Sequence, residues 1–241
     1  MTCILLTGSS RGIGAAARTM LQARGATVIG HATRSRDEAT IAADFTDGDA
    51  PRALWQSALD RAGGTIDVLV NNAGLFDPNP LDRDDEDWLA AWEDTVRINL
   101  TAAAQLSRYA VRHWQERRAS GEQGGGRIVH VASRAGHRGD SPAHWHYAAA
   151  KGGMLAMHKT IARQYASEGI LSFAITPGFT DTAMAGDYLD SRGGPGLLAD
   201  IPLGRVAEPE EIGKLIEFCA LDAPPSLTGA TLDANGASYV R

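Results

Sequence analysis

Tyr147 and Lys151 stand four residues apart in the stretch His144-Trp-His-Tyr-Ala-Ala-Ala-Lys-Gly-Gly153. On a helix that spacing puts both side chains on one face, one turn distant, and three alanines leave room beside them. A free phenol ionises near pH 10, so a tyrosine that moves protons near neutrality needs its ionised form favoured. A fixed ammonium a few ångströms away typically supplies about 1–3 pKa units, or roughly 1.4–4 kcal/mol. The pair could therefore do acid–base chemistry. Spacing alone does not establish it, because average usage yields a Tyr and a Lys four apart about once in every two or three chains of this length. Only the surrounding elements can decide.

Those elements alternate. Short continuous apolar runs, "CILLTG", "ATVIGHA", "IDVLVNNAG", "RIVHVAS", "ILSFAITPG" and "ATLDANG", are each bounded by Gly, Pro, Asn or Asp, as strands covered on both faces should be. Between them lie helical patterns at about 12–23, 50–62, 84–118, 147–167 and 209–220. Regular β-α-β alternation with no internal repeat predicts one α/β domain over 1–241. That domain is a doubly wound parallel sheet of Rossmann type, about seven strands with helices on both faces, with ligands at the carboxyl ends of the strands. The run Asp84–Asp87 suits the positive end of a helix. The irregular stretch 179–202, containing "DSRGGPGLLAD", sits where a substrate loop or lid would lie.

The first strand runs directly into Thr7-Gly8-Ser9-Ser10-Arg11-Gly12-Ile13-Gly14, which opens the first helix. Gly8 permits a tight turn, Gly12 lets backbone approach a diphosphate, and Gly14 lets the helix pack close, while free N–H groups at the helix start face the anion. In this position the pattern predicts a dinucleotide site rather than a structural turn. A carboxylate at the end of the second strand would select NAD; that place reads Gly30-His31-Ala32-Thr33-Arg34, with no carboxylate before Asp37. Arg34 and Arg11 can reach a 2′-phosphate from two sides, which points to NADP(H) over NAD(H). The alternative is that both are ordinary solvated arginines.

The chain resembles the short-chain dehydrogenase/reductase family, and in particular its 3-oxoacyl-[acyl-carrier-protein] reductases, from near residue 4 to the C-terminus. The motifs fall in order: "TGSSRGIG" (7–14), "NNAG" (71–74), Asn99 in "RINL", Ser133 in "VAS", "YAAAK" (147–151) and "PGFTDT" (177–182). The resemblance implies Tyr147 as general acid in carbonyl reduction and base in the reverse reaction, with Ser133 holding the carbonyl oxygen. Lys151 would bind the nicotinamide ribose and lower the tyrosine pKa; Asn99 would hold, through its main chain, a water linking Lys151 to solvent. It further implies Asp44 and Phe45 at the adenine and Asn72, Ala73 and Gly74 along the adenosine ribose. Pro177, Gly178, Thr180 and Thr182 would face the nicotinamide.

Two departures from the pattern have consequences. About a dozen residues separate His31 from Asp44, so the second helix must be one short turn or absent. And the turn after the catalytic helix reads "SEGI", with Glu168 where relatives serving an acidic carrier protein often carry a basic residue. That makes acyl-carrier substrates doubtful, with Arg127 the cation left to contribute. His137, Asp140, His144 and His146 crowd the approach to Tyr147; His-x-His can serve zinc, but beside an intact Tyr/Lys pair the reading is rim residues and no metal. His144 and Trp145 are placed ahead of the helix, at the substrate mouth.

Composition narrows the class. Hydrophobic content of 44%, 22% charged residues and a net charge of −6 are ordinary for a soluble protein and offer no basic footprint for nucleic acid. No apolar run is long enough to span a bilayer, and "MTCILLTGSSRGIG" lacks a secretory signal, so a cytoplasmic location is expected. Cys3 and Cys219 suit reduced, buried thiols. The expected protein is an NADPH-dependent carbonyl (ketone or 3-oxoacyl) reductase acting on a small molecule. The resemblance adds a homotetramer, or a homodimer, built through 84–118, 147–167 and the C-terminal segment. An NAD-dependent dehydrogenase of a polyol, sugar or steroid alcohol is the enzymatic alternative. A non-catalytic dinucleotide-sensing protein is the alternative of another class, although such proteins tend to lose the tyrosine or the lysine.

Overall fold

The inner strands of the computed structural model are buried on both faces, and each face finds its own helices. The structure describes residues 1–34, 37–122, 124–182 and 194–241. Seven parallel strands form one sheet: β1 (Cys3–Leu6), β2 (Thr27–Ala32), β3 (Thr40–Ala42), β4 (Val68–Asn71), β5 (Gly126–Val131), β6 (Ile170–Pro177) and β7 (Thr231–Ala234), in the order β3-β2-β1-β4-β5-β6-β7. In β1, Cys3 and Leu5 pack toward helices α2 (Ala50–Arg61), α4 (Ala102–Ala119) and α6 (Trp145–Tyr165), meeting Leu54, Leu106, Trp114 and Ile161. Ile4 and Leu6 pack the other way, against Ala17 and Leu21 of α1 (Gly12–Ala23) and Ile212 and Ile216 of α8 (Pro209–Glu217). This is the doubly wound arrangement the continuous apolar runs predict. Strand order reverses between β1 and β4, which opens a crevice at their carboxyl ends.

The helical pattern over 84–118 is not one helix. It divides into α3 (Asp85–Val96) and α4, joined by a π-helical turn at Arg97–Thr101. An extra residue in that turn lets the fully buried Asn99 reach out of the helix, and apolar periodicity carries across such a turn unchanged. Asp85, Glu86 and Asp87 fill the first turn of α3, where carboxylates complement the helix dipole. The catalytic-helix pattern begins two residues early, at Trp145, so Trp145 is helical rather than ahead of the helix.

Between β2 and β3 the described residues form a bend and a turn, with no helix among them. Of the expected lid at 179–202, residues 183–193 lie outside the described residues; beyond them comes a short helix, α7 (Gly194–Ala199), which the irregular composition did not suggest. The remaining short helix, α5 (Ala135–Arg138), follows β5 directly. Cys3 and Cys219 are buried, unpaired thiols. No helix among the described residues is long and apolar enough to cross a membrane.

Candidate active site

The crevice at the strand reversal is laced across by Thr7 and Asn72. The Thr7 hydroxyl accepts hydrogen bonds from Asn72 N (2.9 Å) and Ala73 N (3.0 Å), and Asn72 Nδ2 donates to Thr7 O (2.9 Å) and Gly8 O (3.1 Å). Thr7 was outside the residues that sequence singled out; its position as the last residue before the glycine turn is the only signal that marks it. Gly8 has φ +66°, and a Cβ there would stand 2.9 Å from Ala73 Cα. A Cβ at Gly14 would overlap the Gly8 carbonyl, so the helix lies directly against the loop.

Helix α1 starts at Gly12 with no side-chain cap on Arg11, so its first-turn amides keep the capacity to bind an anion. The cavity wall here carries Gly8, Ser10, Arg11, Gly12, Ile13 and Gly14. Ser9 is turned inward instead, 1% exposed, with its amide donating to His31 O at 2.9 Å. A phosphate-bearing dinucleotide fits this donor set.

At the far end of β2, His31 and Thr33 line the same cavity with Asp44 and Phe45. The Asp44 carboxylate accepts from Thr46 N (3.0 Å) and the Thr46 hydroxyl (2.9 Å), and these bonds hold its pKa below the usual carboxylate range. Arg34 is exposed, off the cavity wall, and its charge acts on Asp44. Asp37, the first carboxylate after β2, is drawn to Arg18 of α1 (2.9 Å) and to the Thr40 hydroxyl (2.6 Å). Asp37 is not on the cavity wall.

The cavity continues past Asn72, Ala73 and Gly74 to the chemical end, where Asn99, Ser133, Tyr147 and Lys151 converge with Pro177, Gly178, Thr180 and Thr182. Tyr147 sits on α6 with its ring edge-on to Phe76 (4.7 Å between centroids) and hydrogen-bonded to Ser133 at the end of β5. Lys151, 3% exposed, donates through Nζ to Val131 O at 2.8 Å and lies 5.7 Å from the Tyr147 ring centre. Gly74 keeps the space beside it open, since a Cβ there would be 2.7 Å from Asn99 Oδ1 and 3.6 Å from Lys151 Nζ.

Burial pushes Tyr147 up to about 12, against the favourable hydrogen bond from Ser133 and with Asp140 adding to the rise. Burial also brings Lys151 down to about 8. Removal of both groups from water works against the attraction that the four-residue spacing offers. At neutral pH the arrangement is therefore a protonated phenol, able to donate, beside an ammonium.

The histidine-rich approach to α6 disperses. His144 is buried, stacked on Phe76 (4.1 Å) with Nδ1 2.7 Å from the Ser141 hydroxyl. It thus backs the cavity wall rather than forming it, and Trp145, 53% exposed, is not on the wall either. His137 stacks on Tyr239 and His146 on Trp92. The wall beside the tyrosine is made by residues that sequence did not single out: Phe76, Arg134 and Phe179, with the Arg134 guanidinium 4.9 Å above the Phe179 ring.

A family model described as short chain dehydrogenase matches residues 2–193. The chain is 36% identical to the 3-oxoacyl-[acyl-carrier-protein] reductase of Vibrio harveyi over 98% of its own length and 96% of that protein's. Identity and coverage are the same for the reductase of that name from Escherichia coli (strain K12). It is also 36% identical, over 96% of its length and 94% of the other's, to a cis-4-hydroxycyclohexanecarboxylate dehydrogenase of Sinomonas cyclohexanicum.

Proposed function

The chain belongs to the short-chain dehydrogenase/reductase family as an NAD(P)-dependent oxidoreductase of carbonyl and alcohol substrates, and we propose that it works as an NADPH-dependent reductase of a small ketone or 3-oxoacyl compound. One observation carries this reading: a single cavity runs from the uncapped start of α1 to Ser133, Tyr147 and Lys151. A nicotinamide bound along it supplies the hydride.

The protein's own part is orientation and proton delivery. Ser133 holds the carbonyl oxygen beside the phenol. Tyr147, a protonated phenol at neutral pH, donates its proton to that oxygen as negative charge develops there. Lys151 holds the ribose hydroxyls, and Asn99 lines the path by which the phenol regains its proton. Arg11 on the wall and Arg34 at its edge favour a 2′-phosphate, since Asp37 is held by Arg18.

A carrier-protein thioester is the less favoured form of the substrate. Glu168 accepts from Gln115 (2.8 Å) in the turn after α6, and Arg127 donates inward to the carbonyls of Cys219 (3.1 Å) and Ala223 (2.8 Å). A second reading, oxidation of a hydroxy acid, is favoured by the cation of Arg134 in the wall next to Ser133 and by the dehydrogenase of a hydroxy acid among the relatives. Following NADPH and NADH absorbance with a panel of ketones, β-ketoesters and acyl thioesters, in wild type and Arg34→Glu, tests the proposal. Preference for NADPH that weakens in the variant supports it; equal use of both cofactors throughout removes the phosphate assignment.

A further inference from the structure

His31 lies at the end of β2, 3% exposed, and both of its ring nitrogens are engaged by backbone. The Gly8 amide donates to Nδ1 at 3.2 Å. On the other side the ring nitrogen Nε2 is 2.9 Å from Ala43 O. A carbonyl oxygen can only accept, so Nε2 carries the proton and Nδ1 the lone pair. The tautomer is thereby fixed by two partners that sit 35 residues apart in sequence. The imidazole face stacks on Phe45, 4.3 Å between centroids and 15° between planes. The His31 carbonyl accepts from the amide of Ser9 at 2.9 Å and from its hydroxyl at 3.3 Å. One residue thus grips two consecutive residues of the glycine loop, one through its ring and one through its backbone, while its ring forms the layer behind Phe45.

We propose that His31 is a positioning residue for the dinucleotide: its neutral Nε2–H tautomer ties the first turn of the glycine loop to the adenine end of the cavity, and a second proton, at Nδ1, releases Gly8 and weakens dinucleotide binding. The proposal rests on the reading that this cavity holds a dinucleotide. A proton on Nδ1 would face the Gly8 N–H, donor against donor, and the 3.2 Å hydrogen bond would be lost. Gly8, with its φ of +66°, would then keep the bond from Asn72 to its carbonyl but lose the bond from its own amide.

The surroundings favour the neutral ring. Burial lowers the His31 pKa below 6.5, opposed by the bond to Ala43 and by the Asp44 carboxylate, the charged group that acts on the ring. Arg34 acts in turn on Asp44. The sign follows: above pH 6.5 the latch is closed, and it opens as pH falls through the lowered value.

The test is linkage measured on the ring. Because the 2′-phosphate of NADP+ itself titrates near pH 6, NAD+ is the probe. A nitrogen-15 spectrum of the wild-type protein at pH 8 should show a protonated Nε2 and a lone-pair Nδ1 for His31. Titrated with and without saturating NAD+, the His31 pKa should fall on binding, by one unit for each tenfold of affinity that protonation removes. In calorimetry, the His31→Asn variant, which presents an acceptor to Gly8 but cannot take up the proton, should lack the wild-type step in NAD+ affinity on the acid side. A proton on Nδ1 at pH 8, or a His31 pKa unmoved by NAD+, overturns the proposal. So do parallel pH curves for wild type and variant. A protein that binds neither NAD+ nor NADP+ at any pH overturns the dinucleotide reading instead.

Discussion

Asn99 holds Leu75 by both of its backbone groups: Oδ1 accepts from Leu75 N at 3.1 Å and Nδ2 donates to Leu75 O at 2.9 Å. The second Nδ2 proton goes to Thr95 O at 3.0 Å, so both polar atoms of this fully buried amide are hydrogen-bonded. The clamp fixes the Gly74–Leu75 turn after β4 against the π-helical turn. It therefore sets the distance between that turn and Lys151. Asn99→Ala removes the partners that its side chain gives to Leu75 N, Leu75 O and Thr95 O, which costs about 2–4 kcal/mol. Urea unfolding should show that loss, and kcat should drop at least tenfold as the turn shifts. Asn99→Asp, which keeps the acceptor for Leu75 N, should fall between. Full activity in Asn99→Ala would show that the clamp does not position the site.

That clamp also marks where sequence stopped being informative. The glycine pattern from Gly8 to Gly14 was legible because tight turns and close helix packing admit almost no other residue, and six motifs in register placed Asn99, Ser133, Tyr147 and Lys151. Continuous apolar runs gave the parallel sheet for the same reason, since a strand covered on both faces has no polar side. The π-helical turn at Arg97–Thr101 was hidden because one added residue barely disturbs helical periodicity. Phe76, Arg134 and Phe179 were hidden because a cavity wall is defined by burial rather than by motif. His31 lines the cavity at the end of β2, where the sequence put it, but its grip on the glycine loop was hidden. Its bonds to Gly8 and Ala43 depend on how β1, β2 and β3 sit side by side.

Burial of Lys151 gives a prediction that separates stability from function. Its pKa falls from 10.5 to about 8 through desolvation alone. Between those values the unfolded chain binds more protons, so stability rises with pH across that window. At pH 7 the folded state carries the whole cost of burying the ammonium, roughly 3 kcal/mol. Lys151→Met removes the charge and loses the bond to Val131 O, worth about 1 kcal/mol. The variant should melt roughly 2–8 °C higher at pH 7, with reductase activity abolished. A lower melting temperature would show that the ammonium stabilises the fold.

Two histidines behind the site should add to the protein's acid sensitivity. His130 of β5 and His158 of α6 are fully buried, ring to ring at 5.9 Å, and burial lowers them to about 3 and about 4. Both folded values lie below 6.5, so the stability these groups contribute is complete above pH 6.5 and is lost as pH falls toward 4. Each removes up to about 1.4 kcal/mol per pH unit in that window. The urea midpoint at pH 5.5 should therefore lie well below that at pH 7.5. In His158→Asn, which keeps an acceptor or donor for Ser172, the difference should shrink. An unchanged difference in the variant would assign the acid sensitivity to other groups.

Single-turnover reduction by Tyr147→Phe, with NADPH bound in advance and its binding checked by fluorescence, tests the central claim most directly. A phenyl ring keeps the edge-on contact with Phe76 but has no proton to give. With the cofactor still bound, the rate of NADPH oxidation by a ketone that the wild type reduces should fall by about 10²–10⁴-fold. A rate within tenfold of wild type, at full NADPH occupancy, would contradict the assignment of Tyr147 as the proton donor.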